Sequence, residues 1–311
     1  MDISRFRIVM DPSFFQEEER GGFVVTREMK KIWAVELDLL NEFALVCDKY
    51  QLKWFVHAGT MLGAIRHQGF IPWDNDIDVI MPRDDYERFC QCAPSEFSHP
   101  YFFQNESTDR FFARAFSRLR NSETTAIFEN ERVYQFPYNQ GIFIDIFPMD
   151  HVPANLEERK AFYQGITDLN AKAVSLRTMI HFYRAKVGMG FLKCVTYYLK
   201  HLFYKYVFPG GYRYFMDKHH QLLTKYDSEE TGWVEEAIVI PHGRHLWRTE
   251  WVQETITVPF EMIQVPVPIH YDECLTASFG KDWKTPRQIG THHGDVFFDT
   301  EEPYTTFITR K

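Results

Sequence analysis

From Arg27 to Tyr50, apolar residues return at helical spacing: Ile32, Leu39, Phe43, Val46 and Tyr50. Charged residues (Lys30, Lys31, Glu36, Asp38, Lys49) fill much of the remainder. The pattern predicts an amphipathic helix laid on a core. LKWFVH (52–57) then reads as a short buried strand. AGTMLGAIRH (58–67) reads as a turn entering a helix, which Pro72 interrupts. IDVIM (77–81) is a second strand closed by Pro82, and 83–92 is helical. Residues 101–136 hold further strands among aromatics and arginines. GIFIDIFP (141–148) is a third apolar strand, expected to end at Pro148. Residues 155–230 are helical in pattern, 233–270 carry turns or short strands, and 271–280 form a helix. Residues 1–26 read as an irregular lead-in, and the chain ends in a polar loop.

Composition narrows the function classes. In 311 residues, 45% are apolar and 25% charged, which is enough apolar area for a sizeable core. The net charge of −8 argues against a protein that coats nucleic acid, since phosphate binding wants a basic surface. Five scattered cysteines (47, 90, 92, 194, 274) form neither a disulfide framework nor a zinc motif, and point to reduced thiols in a cytoplasmic protein. No apolar run of the roughly 18 residues a bilayer needs, and no signal-like leader, is present.

The candidate chemistry lies in PWDNDIDVIMPRDDYERF (72–89). Asp76 and Asp78 are two apart on an extended segment, so both carboxylates share one face while Ile77 and Val79 turn to the core. Carboxylates at that spacing repel, and a divalent cation with oxygen preference, Mg²⁺ or Mn²⁺, relieves the conflict. Asp145 stands inside the apolar strand GIFIDIFP, where an unpaired charge is costly. If the two strands are neighbours, three carboxylates can hold two cations about 4 Å apart, the arrangement for in-line displacement at phosphorus.

Seventeen residues before Asp76, Gly59 and Thr60 follow a strand and open a helix. Free N–H groups there, with the Thr60 hydroxyl, form a phosphate cradle, and Arg66 and His67 lie within reach of the same anion. A plain helix start with a packing glycine is the competing reading. Neither the Walker A nor the GxGxxG pattern is present.

The stretch HAGTMLGAIRHQGFIPWDNDIDVIMPRDDYERF resembles the signature of the LicD family, which includes bacterial phosphocholine transferases and fukutin-related proteins. GIFIDIFPMDHVP is similar to that family's second block. VPVPIHYDECLTASFGKDWKTP (265–286) is similar to its third, with Ser278-Phe279 where Leu-Tyr is common. The resemblance implies an α+β fold: a nucleotidyltransferase-like mixed sheet flanked by helices, with a helical insertion and a C-terminal extension. The corresponding organisation is a lead-in (1–26), a catalytic core (27–155), a helical subdomain (156–230) and a C-terminal segment completing the site (231–311).

The resemblance also implies transfer of a substituted phosphate, phosphocholine or a polyol phosphate, from a CDP-linked donor to a hydroxyl of a glycan or its lipid-linked precursor. Asp76, Asp78 and Asp145 match the catalytic metal-binding acids, and Gly59 and Thr60 the phosphate-binding turn. Arg118, Arg120 and Thr124 match candidate donor-phosphate contacts in FSRLRNSETTAIFE, and His292 in the tail is placed to close over the site. Nucleotidylyl transfer from an NTP is the alternative the acids alone allow. The basic, aromatic stretch 182–215 reads either as a helix lying in a lipid headgroup layer or as a subdomain with its lysines in water.

Overall fold

The computed structural model describes residues 6–132, 136–185, 190–207, 211–238, 242–287 and 296–308. The lead-in is more ordered than its sequence suggests. Gly21 and Gly22, at φ +57° and +82°, close a hairpin of β1 (Glu18–Arg20) and β2 (Phe23–Val25). Two successive positive φ angles are what such a two-residue turn needs, and glycine supplies them without steric cost.

Helix α1 (Arg27–Tyr50) starts at Thr26, whose hydroxyl accepts from Met29 N. Every residue from Trp33 to Leu40 is buried, so the helix is central and has no wet face there. Ile32 and Tyr50, assigned to the core by periodicity, are only partly buried. The lead-in covers the side expected to be polar: Asp38 accepts from Arg7 N, Ile8 N and Tyr101 Oη.

After α1 the chain gives β3 (Phe55–Val56), α2 (Ala58–His67), β4 (Asp78–Pro82), α3 (Arg83–Glu96), β5 (Tyr101–Gln104), β6 (Ser117–Asn121), β7 (Thr125–Phe128), the short α4 (Glu129–Arg132) and β8 (Ile142–His151). β8 organises a seven-stranded mixed sheet. On one side it pairs in parallel with β4, which pairs antiparallel with β3. On the other, its first half pairs with β6 and then β5. α1 and α3 pack on this sheet.

Pro148 does not end β8, which runs on to His151. Asp145 N donates to Ile77 O on the β4 side, so alternation turns the nitrogens of even-numbered residues to the opposite side. On that side β6 stops at Ile146 and the next strand begins at Asp150. The missing N–H of Pro148 falls in the gap, where no ladder bond is lost.

The helices α5 (Leu156–Ala185), α6 (Phe191–Val207) and α7 (Tyr212–Leu223) follow. α5 and α7 bury Ile166, Leu176, Phe215 and Leu223 in two apolar clusters separate from the main core. The chain then returns to the sheet. β9 (Trp233–Glu235) pairs with the end of β8 and with β10 (Trp247–Arg248). A hairpin of β11 (Thr255–Phe260) and β12 (Ile263–Pro268) leads into α8 (Tyr271–Phe279). The tail is not a loop throughout: β13 (Val296–Asp299) pairs with β7, and the short α9 (Thr305–Ile308) follows. The result is the expected mixed sheet flanked by helices.

Glu235 marks the join between sheet and helices. Its buried carboxylate accepts from Tyr163 Oη on α5 and from Gly243 N. Burial pushes its pKa up to about 7 from 4.5, against both hydrogen bonds, which favour the charged form. An acid raised in the folded chain binds its proton more tightly there than when unfolded. Its contribution to stability therefore falls as the pH rises from about 4.5 to about 7. Unfolding free energies of Glu235→Gln, measured by urea titration across that window, are expected to decline less steeply than those of the unaltered chain. Parallel curves would contradict this.

Candidate active site

The strand register brings the expected acids together. Asp78 on β4 lies directly opposite Asp145 on β8. Ile77 and Val79 are fully buried, while Asp76 and Asp78 line a cleft of about 280 Å³. The regular strand starts at Asp78, but pairing reaches back one residue, because Ile77 O accepts from Asp145 N at 2.9 Å.

The start of α2 borders the same cleft through Ala58 and Gly59. Ala58 holds φ +44°, a left-handed conformation unusual for a side chain with a Cβ, at the turn from strand to helix. Two bonds fix this turn to β4: His57 N donates to Asp78 O at 2.9 Å, and Asp78 N donates to Thr60 Oγ1 at 2.8 Å. Thr60, expected to contact phosphate, is buried and does not line the cleft; its hydroxyl instead braces the turn against the strand. A Cβ on Gly59 would meet Asp74 Oδ2 at 2.8 Å, so glycine lets the helix start approach the acids.

Negative charge is concentrated here. Burial, and then the charges of Asp76, Asp145 and Asp74, hold the Asp78 carboxyl far above the usual range. Burial and Asp76 do the same to Asp74. Beneath them Glu36 of α1 is buried, with a carboxyl raised first by burial and then by the acids above it. Asp78 Oδ1 and Glu36 Oε2 are buried and have no hydrogen-bond partner among the described residues.

A hard divalent cation suits this donor set. The groups are oxygen donors, they repel one another, and Asp78 has a buried oxygen without a hydrogen-bond partner among the described residues. Among the described residues, no three His, Cys, Asp or Glu side chains form a complete ligand set. Mg²⁺ does not need one, since one or two carboxylates with substrate phosphates suffice.

Asp145 departs from the expectation of a third free carboxylate. Arg118, its cross-strand neighbour on β6, donates from Nε to Oδ1 at 2.5 Å and from NH2 to Oδ2 at 3.3 Å. Both side chains are buried, and the guanidinium lies 3.8 Å from the Phe143 ring centre. As positioned, Asp145 is the partner of Arg118 rather than an available ligand.

Arg120 and Thr124 do not line the cleft. Arg120 is buried and donates to Gln104 Oε1 and to Gly141 O, each at 2.5 Å. Thr124 Oγ1 donates to Asn121 O and accepts from Ile142 N, bracing the turn between β6 and β7. Arg66 does line the cleft, and its NH1 donates to Trp283 O at 2.9 Å. His67 sits behind it, accepting from Arg66 Nε, with its pKa lowered to about 4 by burial and then by Arg66. His292 lies outside the described residues.

The opposite wall comes from the C-terminal segment expected to complete the site, but through residues that sequence reasoning did not name. Glu236, just after β9, Arg244 and His245 line the cleft, as do Phe279, Trp283 and Arg287. The signal was present for some of them: FGKDW, in the third block, becomes part of this wall. His57 and His245 sit with ring centres 4.6 Å apart, and both are held neutral. Burial first, then the neighbouring His245 and Arg244, lower His57 well below its usual value, and burial followed by Arg244 takes His245 to about 3. Aromatic rings (Trp73, Phe147, Phe279, Trp283) alternate with the charged groups around the cleft.

Comparison with known proteins matches residues 51–187 to the family described as LicD/FKTN/FKRP, nucleotidyltransferase domain. The lipopolysaccharide cholinephosphotransferase LicD of Haemophilus influenzae is 33% identical over 117 residues, 38% of this chain and 42% of that protein. An uncharacterised protein of Rickettsia typhi is 33% identical over 85 residues, 25% of this chain and 28% of that one. One of Rickettsia prowazekii is 41% identical over 56 residues, 18% of this chain and 21% of that one. The chain thus spans about two fifths of the first relative and less of the others.

Proposed function

From the premise that this chain carries a LicD-family nucleotidyltransferase domain, we propose that it transfers a substituted phosphate, phosphocholine in the first instance, from a CDP-linked donor to a glycan hydroxyl. The observation that carries the reading is the cleft where the Asp74–Asp76–Asp78 run meets the start of α2, with Asp145 in register across the sheet.

The N–H groups at the start of α2 point to the donor pyrophosphate, and the helix dipole favours negative charge there. Arg66 and Arg244 balance the phosphates from other sides of the cleft. Asp76 and Asp78 would hold Mg²⁺, which when bound neutralises the pyrophosphate and the carboxylates together. The acceptor oxygen forms a new bond to the phosphorus carrying the headgroup as the bond to CMP breaks. The acceptor's proton passes to the carboxylate cluster. The aromatic rings in the same cleft suit a quaternary ammonium, which is attracted to ring faces.

Calorimetry with Mg²⁺ and CDP-choline, CDP-ribitol, CDP-glycerol or ATP tests this. Metal-dependent binding of CDP-choline is expected, at least tenfold tighter than that of the two polyol donors. Tighter binding of a polyol donor would change the headgroup. Binding of ATP and none of the CDP compounds would replace the proposal by nucleotidylyl transfer.

A further inference from the structure

The helix α6 is amphipathic and its apolar side is uncovered. Phe191 and Leu192 are 81% and 82% exposed, and Leu199 and Phe203 are each 60% exposed. With Val195 and Val207, which are also exposed, these side chains lie on one broad face, since they recur at intervals of three and four residues. α6 leans on α5, and none of its described residues enters the three apolar clusters of the protein. Soluble chains rarely leave a helix face of this kind open unless something covers it.

Charge selects the cover. Between Asp168 and Asp217 the sequence has eight Lys or Arg and no acidic residue, in a chain whose net charge is −8. Arg177 and Arg213 are paired with Glu131 and Glu106. Lys193 and Lys200, seven residues apart on α6, border its apolar face. A second copy of this chain would bring the same positive stretch against itself. An anionic lipid surface offers apolar tails to the rings and negative headgroups to the lysines. No described helix is long and apolar enough to cross a membrane, so α6 would lie in the interface.

We propose that α6 is a docking helix for an anionic lipid bilayer, seating Phe191, Leu192, Leu199 and Phe203 among the acyl chains and Lys193 and Lys200 at the headgroups. The inference stands on α6 alone and does not depend on the donor or the reaction.

Co-sedimentation of the full chain with phosphatidylcholine vesicles, and with mixed phosphatidylcholine–phosphatidylglycerol vesicles, tests it without nucleotide or turnover. The protein should partition onto the mixed vesicles far better than onto the neutral ones, and added salt should weaken this. Lys193→Gln with Lys200→Gln should weaken the partition roughly 25-fold, at about fivefold per lysine. Leu199→Gln with Phe203→Gln should weaken it by roughly a hundredfold, while the melting curve stays that of the unaltered chain because both residues are exposed. Three results would overturn the proposal: no more protein pelleting with mixed vesicles than without lipid, binding indifferent to both pairs of substitutions, or a dimer in lipid-free solution that the Leu199–Phe203 pair dissociates.

Discussion

Replacing Asp78 by Asn is expected to lower turnover on the order of 10³-fold or more and, in the same variant, to raise the melting temperature of the ligand-free protein. The two effects share one cause. Asp78 stands among Asp74, Asp76, Asp145 and Glu236, with one buried oxygen that no described group satisfies. Without a cation this repulsion works against the fold, and a neutral amide of the same shape removes it. In the proposed reaction the carboxylate would be a Mg²⁺ ligand, which an amide replaces poorly. A rise of a few degrees in a thermal melt, with loss of product formation, is the expected pair of readings. Near-normal turnover would remove Asp78 from the reaction. A fall in melting temperature would mean that attractive partners, not repulsion, dominate around it.

Arg118→Met is expected to cost about 3–5 kcal/mol of unfolding free energy, because it leaves the Asp145 carboxylate buried without its partner. Both groups are only 2% exposed, and the pair is a two-bond fork. Adding Asp145→Asn to that background should recover a large part of the loss, since the stranded charge goes with it. Urea titrations of both single variants and the double variant complete the cycle. A single Arg118→Met variant that unfolds like the unaltered chain and only raises KM would instead make Arg118 a donor contact, as the family segment suggested.

These two residues show how far the sequence was legible. The phosphate end of the cleft could be read because its signals are local: a period of two places Asp76 and Asp78 together, and Gly59-Thr60 announces a helix start. Asp145 was marked by its apolar neighbours, since a charge in such a strand must be answered. What answers it was illegible, because Arg118 reaches Asp145 through a strand register that no local pattern encodes. Arg118 and Arg120, two apart on one strand, looked equivalent. The structure separates them by what lies beside each, a carboxylate for one and Gln104 with Gly141 O for the other. The helix α1 was found, and Leu39, Phe43 and Val46 are buried as its period suggested, but periodicity presumes a wet face and α1 has none between Trp33 and Leu40. The C-terminal segment was expected to complete the site, but the wall residues from Glu236 to Arg287 could not be named, because they meet the acids only after the chain has passed through three helices.

That late return sets the order in which the molecule can be made. A ribosome that has just released His151 has delivered the run of acids and the long strand β8, but not β9, which begins at Trp233. At roughly 5–20 residues per second, the far half of β8 waits several seconds with one edge open, a template for pairing with other chains. Chains cut short within the helical segment should therefore be captured by chaperones or aggregate rather than accumulate as partly folded protein. The carboxylates of the cleft gain their opposite wall only after the three intervening helices have been made.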